Sequence, residues 1–276
     1  MGSLIQNGID WIIAIQALGG WLEAPMQFFT FLGSQDFFFL VLPFIYWSID
    51  AGLGMRVAFG LIASVSLNSY FKLWFVGPRP YWVSGNVQGL SAETSFGVPS
   101  GHAQNAMAVW GIIAARIGKR VAWMLAITLA FLIGFSRLYL GVHFVHDVLA
   151  GWALGAAVLW GVLRFWDPVA AWLKSKTVTS QISLAFVMSL VMIALGYASA
   201  ARLDGYIFPE EYRVNALRAS DELPAPASLE TIVTSAGTFF GLAAGLAWIL
   251  SRGGYQADGP GGKRALRLFV GLVGVF

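Results

Sequence analysis

Apolar runs recur along this chain at lengths near the roughly 20 residues that a helix needs to cross a hydrocarbon core of about 30 Å. No other feature limits the fold as strongly. Candidate spans occupy residues 36–49, 53–76, 102–117, 120–141, 146–166, 181–201 and 229–250, the first of them short and aromatic. The expected fold class is therefore all-α: a polytopic integral membrane helical bundle of about seven transmembrane helices. Ahead of the first span, Leu4, Ile5, Ile9, Ile12 and Ile13 recur at near-helical spacing, interrupted by Asn7, Asp10 and Gln16. That pattern predicts a helix lying in the membrane interface, with a partial extra span as the competing reading. Leu266 to Phe276 is apolar to its last residue but too short to cross, and reads as an unfinished or cut-off span. The expected organisation is an interfacial segment over 1–35, a core over 36–176, and additional helices with an acidic outer loop over 177–276.

Composition agrees, with 58% hydrophobic and 11% charged residues in 276, where soluble domains carry about a quarter charged. The formal charge of +3 does not imply nucleic acid, because basic residues in a membrane protein first set orientation. Eleven of the 17 basic residues fall on one side of the seven-span arrangement, which should be cytoplasmic; Lys72, Arg79, Arg137, Arg202, Arg213 and Arg218 fall on the other. The outer loop from Arg202 to Glu230 holds Asp204, Glu210, Glu211, Asp221, Glu222 and Glu230, read as a solvated acidic loop rather than a metal site. There is no cysteine, which excludes disulfides, thiol catalysis and thiolate metal sites. No basic residue precedes Arg56, so a cleavable signal peptide is not expected. Gly151 with Gly155 and Gly241 with Gly245 have small-xxx-small spacing, expected to bring helix backbones close. Trp74, Trp82 and Trp152 read as belt and packing residues.

Ionisable side chains at membrane depth are costly, which makes those at helix ends candidates for function. Three clusters lie at outer helix ends: Lys72 with Arg79 and Pro80; Pro99-Ser100-Gly101-His102; and Ser136-Arg137 followed by His143 and Asp147. Lys72, Arg79 and Arg137 supply cations suited to phosphate oxygens. Ser100 and Gly101 open a helix whose free N–H groups and dipole favour an anion. His143 and Asp147 are four apart, so on one helical face the carboxylate can orient the imidazole and leave its other nitrogen as a nucleophile. His102 can give a departing alkoxide its proton. His146 reads as structural or interfacial, and neither Glu93 nor Asn105 has a demanded role.

The three clusters, K-x6-R-P, P-S-G-H and S-R-x5-H-x3-D, resemble the signature of the type 2 phosphatidic acid phosphatase superfamily, with every specified position filled across residues 30–165. The resemblance implies a helical membrane fold and an outward-facing site without metal or cofactor. In it His143 forms a phosphohistidine, Asp147 orients it and His102 is the general acid. Lys72, Arg79, Ser100, Gly101 and Arg137 bind phosphate. The stretch Leu32–Asp50 is similar to the sphingosine-1-phosphate phosphatase and dolichyl diphosphatase branches. The expected partner is a lipid phosphate monoester or diphosphate among membrane lipids, in a bacterial plasma membrane with the site facing the periplasm or exterior. An anionic-lipid transporter or flippase, a lipid phosphotransferase and a vanadium-dependent haloperoxidase-like enzyme are the alternatives. The haloperoxidase-like enzymes are soluble, and binding alone needs no oriented nucleophile.

Overall fold

A computed structural model describes residues 2–220 and 222–275. Asp221 of the acidic loop and Phe276 of the terminal apolar run lie outside the described residues, as do the side chains of Leu4 and Val275. Every regular element among the described residues is helical. Lipid provides no hydrogen-bond partners, and a helix satisfies its own backbone. In chain order these are α1 (Gly2–Gln16), α2 (Glu23–Phe31), α3 (Gln35–Phe44), α4 (Ala51–Phe75), α5 (Pro80–Val83), α6 (Gly101–Ile117), α7 (Arg120–Tyr139), α8 (Val145–Lys174), α9 (Val178–Ala201), α10 (Glu210–Ala219), α11 (Glu230–Ser251) and α12 (Gly261–Val275).

All seven expected spans are helical, but the count of seven spans is not reached. Five stretches are long and apolar enough to cross, built on α4, α7, α8, α9 and α11; a sixth arises if the pair Gly20–Phe31 and Gln35–Ile49, bent by 50°, is one broken span. The bend explains the short first candidate: α2, packed on α7, continues into α3 and a π turn over Ile45–Ile49. The other shortfall is α6, at 17 residues. It sits against α4, α7 and α8, and an enclosed helix need not present a lipid-facing apolar surface. It carries polar side chains instead. Asn68 Nδ2 donates to Gln104 Oε1 (2.8 Å), Gln104 Nε2 to Ser64 O (2.8 Å) and Ser64 Oγ to Asn105 Oδ1 (2.7 Å), stitching α4 to α6 by interhelical hydrogen bonds.

Close approach of α6 and α8 depends on Gly151 and Gly155. A Cβ at Gly151 would lie 2.5 Å from the Ser100 carbonyl oxygen, and one at Gly155 2.4 Å from that of Gln104. Gly241 and Gly245 are different. A Cβ at either would meet no described atom within 4 Å, because α11 packs on α9 and α4 through another face; the expectation of close packing there is corrected. Trp152 sits between helices, its Nε1 donating to Ala130 O at 3.1 Å. Trp82 is fully buried and is no belt residue.

The helix ends that carry the three clusters converge. α1 lays Ile9 and Ile12 into an apolar cluster with Trp82, Phe96, Leu140, Val142 and Phe144, and Gln16 Nε2 donates to the carbonyls of Gln88 and Tyr139. Asn215 of α10 donates to Trp82 O (3.0 Å), and Ala225 N to Thr94 O (3.0 Å). The loop over 84–100 is thereby held between α1 and the C-terminal helices. At the opposite end α12 docks on the π turn through Arg264 and Ser48.

Candidate active site

The first cluster depends on how α4 ends. Val76 is left-handed (φ 52°), a conformation costing about 1–3 kcal/mol in a β-branched residue. It stops the helix after Phe75 and turns the chain so that Arg79 folds back beneath the 84–100 loop. Arg79 is fully buried. Its Nε donates to Ser95 O (2.6 Å), Nη1 to Val142 O (3.0 Å), and Nη2 to Glu93 Oε2, Ser95 Oγ and Phe96 O (3.2 Å each). Trp82 faces the guanidinium at 5.7 Å. Lys72 Nζ donates to Ser95 Oγ at 2.7 Å.

The second cluster starts α6. Ser100 is its N-cap, Oγ accepting from Ala103 N, while Ser100 N donates to Asp147 O at 3.0 Å and so ties α6 to α8. The N–H groups of Gly101 and His102 have no partner among the described residues. A free helix N-terminus of this kind favours an anion. A Cβ at Gly101 would crowd Asn68 Oδ1 at 3.2 Å.

The third cluster completes the site. Arg137, on α7, donates to Thr30 Oγ1 and to Glu93 Oε1. Its Nε is buried without a partner among the described residues. His143 sits in the short connection before α8, its Nδ1 3.2 Å from Asp147 Oδ2, which also accepts from Phe144 N at 2.8 Å. The carboxylate requires a proton on Nδ1, so Nε2 carries the lone pair and faces Arg79 Nη1 at 3.3 Å. Burial, then Arg79, Arg137 and Lys72, hold the His143 imidazole well below its usual range, keeping it neutral. His146 stacks on Phe144 (5.3 Å, 10°), with Nε2 3.1 Å from Asp147 Oδ1. That contact lacks hydrogen-bond alignment, since Oδ1 has no hydrogen-bond partner among the described residues.

Lys72, Gly101, His102 and His143 line one cavity of about 240 Å³, with Arg79 and Arg137 reaching it through Glu93. Glu93 is the residue that sequence reasoning passed over. Burial alone would raise its carboxyl, but Arg79 and Arg137 more than offset this and hold it well below the usual carboxylate range. The carboxylate therefore rests where two arginine forks converge. Its sequence signal is that it is the one carboxylate between Asp50 and Asp147, six residues before Pro99. Thr30, Ser95 and Asn105 also reach the site, and small polar residues of this kind carry no signature.

A family model described as the PAP2 superfamily matches residues 53–171. Phosphatidylglycerophosphatase B of Bacillus subtilis (strain 168) is 34% identical over 160 residues, covering 52% of this chain and 75% of that protein. Glucose-6-phosphatase 3 of Homo sapiens is 31% identical over 185 residues, covering 58% of this chain and 53% of that protein. This chain thus spans three quarters of the first relative and about half of the second. Among solved structures, the transmembrane PAP2 type phosphatidylglycerolphosphate phosphatase of Bacillus subtilis superposes with a TM-score of 0.53 at 27% identity, covering 61% of this chain and 89% of that one.

Proposed function

From membership of the PAP2 superfamily, to which this chain belongs, we propose a membrane phosphatase that releases inorganic phosphate from a lipid-borne phosphate ester or anhydride through a phosphohistidine. The observation that carries this reading is the oriented His143–Asp147 pair, with Nε2 turned toward the converging cations. In the first step the Nε2 lone pair forms a bond to phosphorus, the bond from phosphorus to the leaving oxygen breaks, and that oxygen takes a proton from His102. Asp147 holds Nδ1–H and offsets the positive charge that develops on the ring. Lys72, Arg79 and Arg137, with the Ser100 hydroxyl and the free N–H groups of Gly101 and His102 at the start of α6, stabilise the phosphoryl oxygens, the larger part of catalysis in phosphoryl transfer. In the second step His102 takes a proton from water, whose oxygen bonds to phosphorus as the N–P bond breaks. The basic-residue asymmetry supports an outward-facing site, and nothing in these steps calls for a metal.

The test is phosphate release by the purified protein in detergent with excess chelator, over a panel of lipid phosphates, against His143→Ala. Chelator-resistant release lost in the variant, with radiolabelled phosphate trapped on the wild-type protein by rapid denaturation, is the expected result. Binding of lipid phosphates without release from any of them would move the reading to transport.

A further inference from the structure

Asn105 is a buried polar side chain of the cavity wall that no step above uses. It is 5% exposed and lines the cavity together with Gly101 and His102. It follows them by four and three residues on α6, so the three share a helical face. Its Oδ1 accepts from Ser64 Oγ at 2.7 Å, which turns the amide N–H groups the other way, toward the cavity, and those groups have no partner among the described residues. A buried donor left unpaired is costly, and at membrane depth a polar group without a structural use is a functional candidate.

The side chain is also held in place. Ser64 is fixed by Gln104, whose Nε2 donates to Ser64 O (2.8 Å) and whose Oε1 accepts from Asn68 Nδ2 (2.8 Å). Asn68 in turn donates to Pro99 O (3.2 Å). All of these side chains are buried, so a rigid polar chain between α4 and α6 ends at an unspent donor one helical turn from His102. The phosphoryl oxygens already have the cations and the free N–H groups at the start of α6. The second step still needs a group that orients its water. That water approaches phosphorus from the side the leaving oxygen vacates, in line with Nε2, with one proton directed to His102. A donor to its oxygen there engages one lone pair and leaves the other aimed at phosphorus.

We propose that Asn105 is a further catalytic residue, its Nδ2–H holding the water that hydrolyses the phosphohistidine. This role rests on the phosphatase reading and deepens its second step. The water accepts from Asn105 Nδ2, gives one proton to His102 and bonds through its oxygen to phosphorus, while the N–P bond breaks and returns its electron pair to Nε2. Asn105 itself neither gains nor loses a proton. Ser64 is a positioning residue, acting through the Asn105 amide.

The full-length protein in detergent is mixed briefly with a radiolabelled lipid phosphate monoester that the wild type hydrolyses, chased with the unlabelled ester, and quenched in alkaline denaturant, which preserves the nitrogen–phosphorus bond. Two rates are read, the formation of labelled protein and its decay. Asn105→Leu should slow decay by at least about tenfold, the value of one hydrogen bond to the reacting water, and leave formation unchanged; unchanged formation also reports an intact fold. Labelled protein should accumulate in the steady state. Ser64→Ala frees the amide to turn and should slow decay by a smaller factor, again with formation unchanged, which keeps the test open if the leucine variant fails to fold. Decay at the wild-type rate in the variants that fold, or formation and decay slowed in equal measure, overturns the role of Asn105 and leaves the phosphatase reading in place. Phosphate release by the wild type without any labelled protein overturns the phosphohistidine and this role together. Release from no lipid phosphate overturns the phosphatase reading as well.

Discussion

Asp147 fixes His143 while also accepting the Phe144 amide, so its contribution is positional and electrostatic at once. Asp147→Asn keeps the size but can present a donor to Nδ1, which turns the lone pair away from the cations. A kcat loss of about 10²–10⁴ with little change in KM is expected, read from steady-state phosphate release; an equal loss in both parameters would argue against the positional role. Glu93 contributes at the same scale by occupying Arg79 and Arg137. Its folded-state proton affinity is depressed, so the stability it contributes is complete above the unfolded carboxyl value near 4.5 and is lost as pH falls below it. His143, depressed below its usual 6.5, has the same sign: acidification through about pH 6.5 protonates the unfolded chain first and weakens the fold. Thermal unfolding in detergent should therefore fall in two windows. Glu93→Gln should abolish the lower one and destabilise the protein near pH 7 by about 3 kcal/mol or more, since two buried guanidinium groups lose their anion. Added phosphate should restore part of that loss by binding the freed cations; an unchanged lower window in the variant would remove Glu93 from this role.

At the scale of elements, the seam between α6 and α8 controls the site, because Ser100 N bonds Asp147 O across it. Gly151→Val introduces a Cβ 2.5 Å from the Ser100 carbonyl oxygen, which must separate the helices at the point where His102 and the His143–Asp147 pair meet. Destabilisation of about 1–3 kcal/mol, with activity falling by more than the loss of folded protein, is the expected outcome by thermal unfolding and phosphate release. Gly241→Val faces open space and should leave both nearly unchanged. The repeated glycine spacing predicted the same behaviour at both places. Only the packing face of α11 separates them, and helical spacing does not disclose which face meets a neighbour.

At the scale of the molecule, the three clusters lie at one end of the bundle and most basic residues at the other, including Arg56, which pairs with Asp167 at 2.7 Å, and Arg116, which pairs with Asp50. The complete lack of cysteine makes orientation directly measurable. Glu222→Cys, in the connection between α10 and α11, should react with a membrane-impermeant maleimide in intact cells. Lys174→Cys, at the end of α8, should react only after permeabilisation, and the reverse pattern would place the site on the cytoplasmic side. The C-terminal helices belong to this scale as well. Asn215 of α10 holds α5 at Trp82 and Ala225, in the connection before α11, holds the 84–100 loop at Thr94, while Ser228 and Thr231 close the cavity.

The sequence alone determined the helical membrane fold, because apolar run length fixes what can cross a bilayer. It also picked out the candidate site clusters, because a histidine four residues before a carboxylate and three cations at helix ends have few purposes within lipid. The pairing of Glu93 with two arginines, the bend between α2 and α3, the enclosure of the short α6 and the polar wall from α11 were decided only by tertiary structure. Each depends on groups far apart in the chain meeting in space, and local spacing carries no record of which helix faces which.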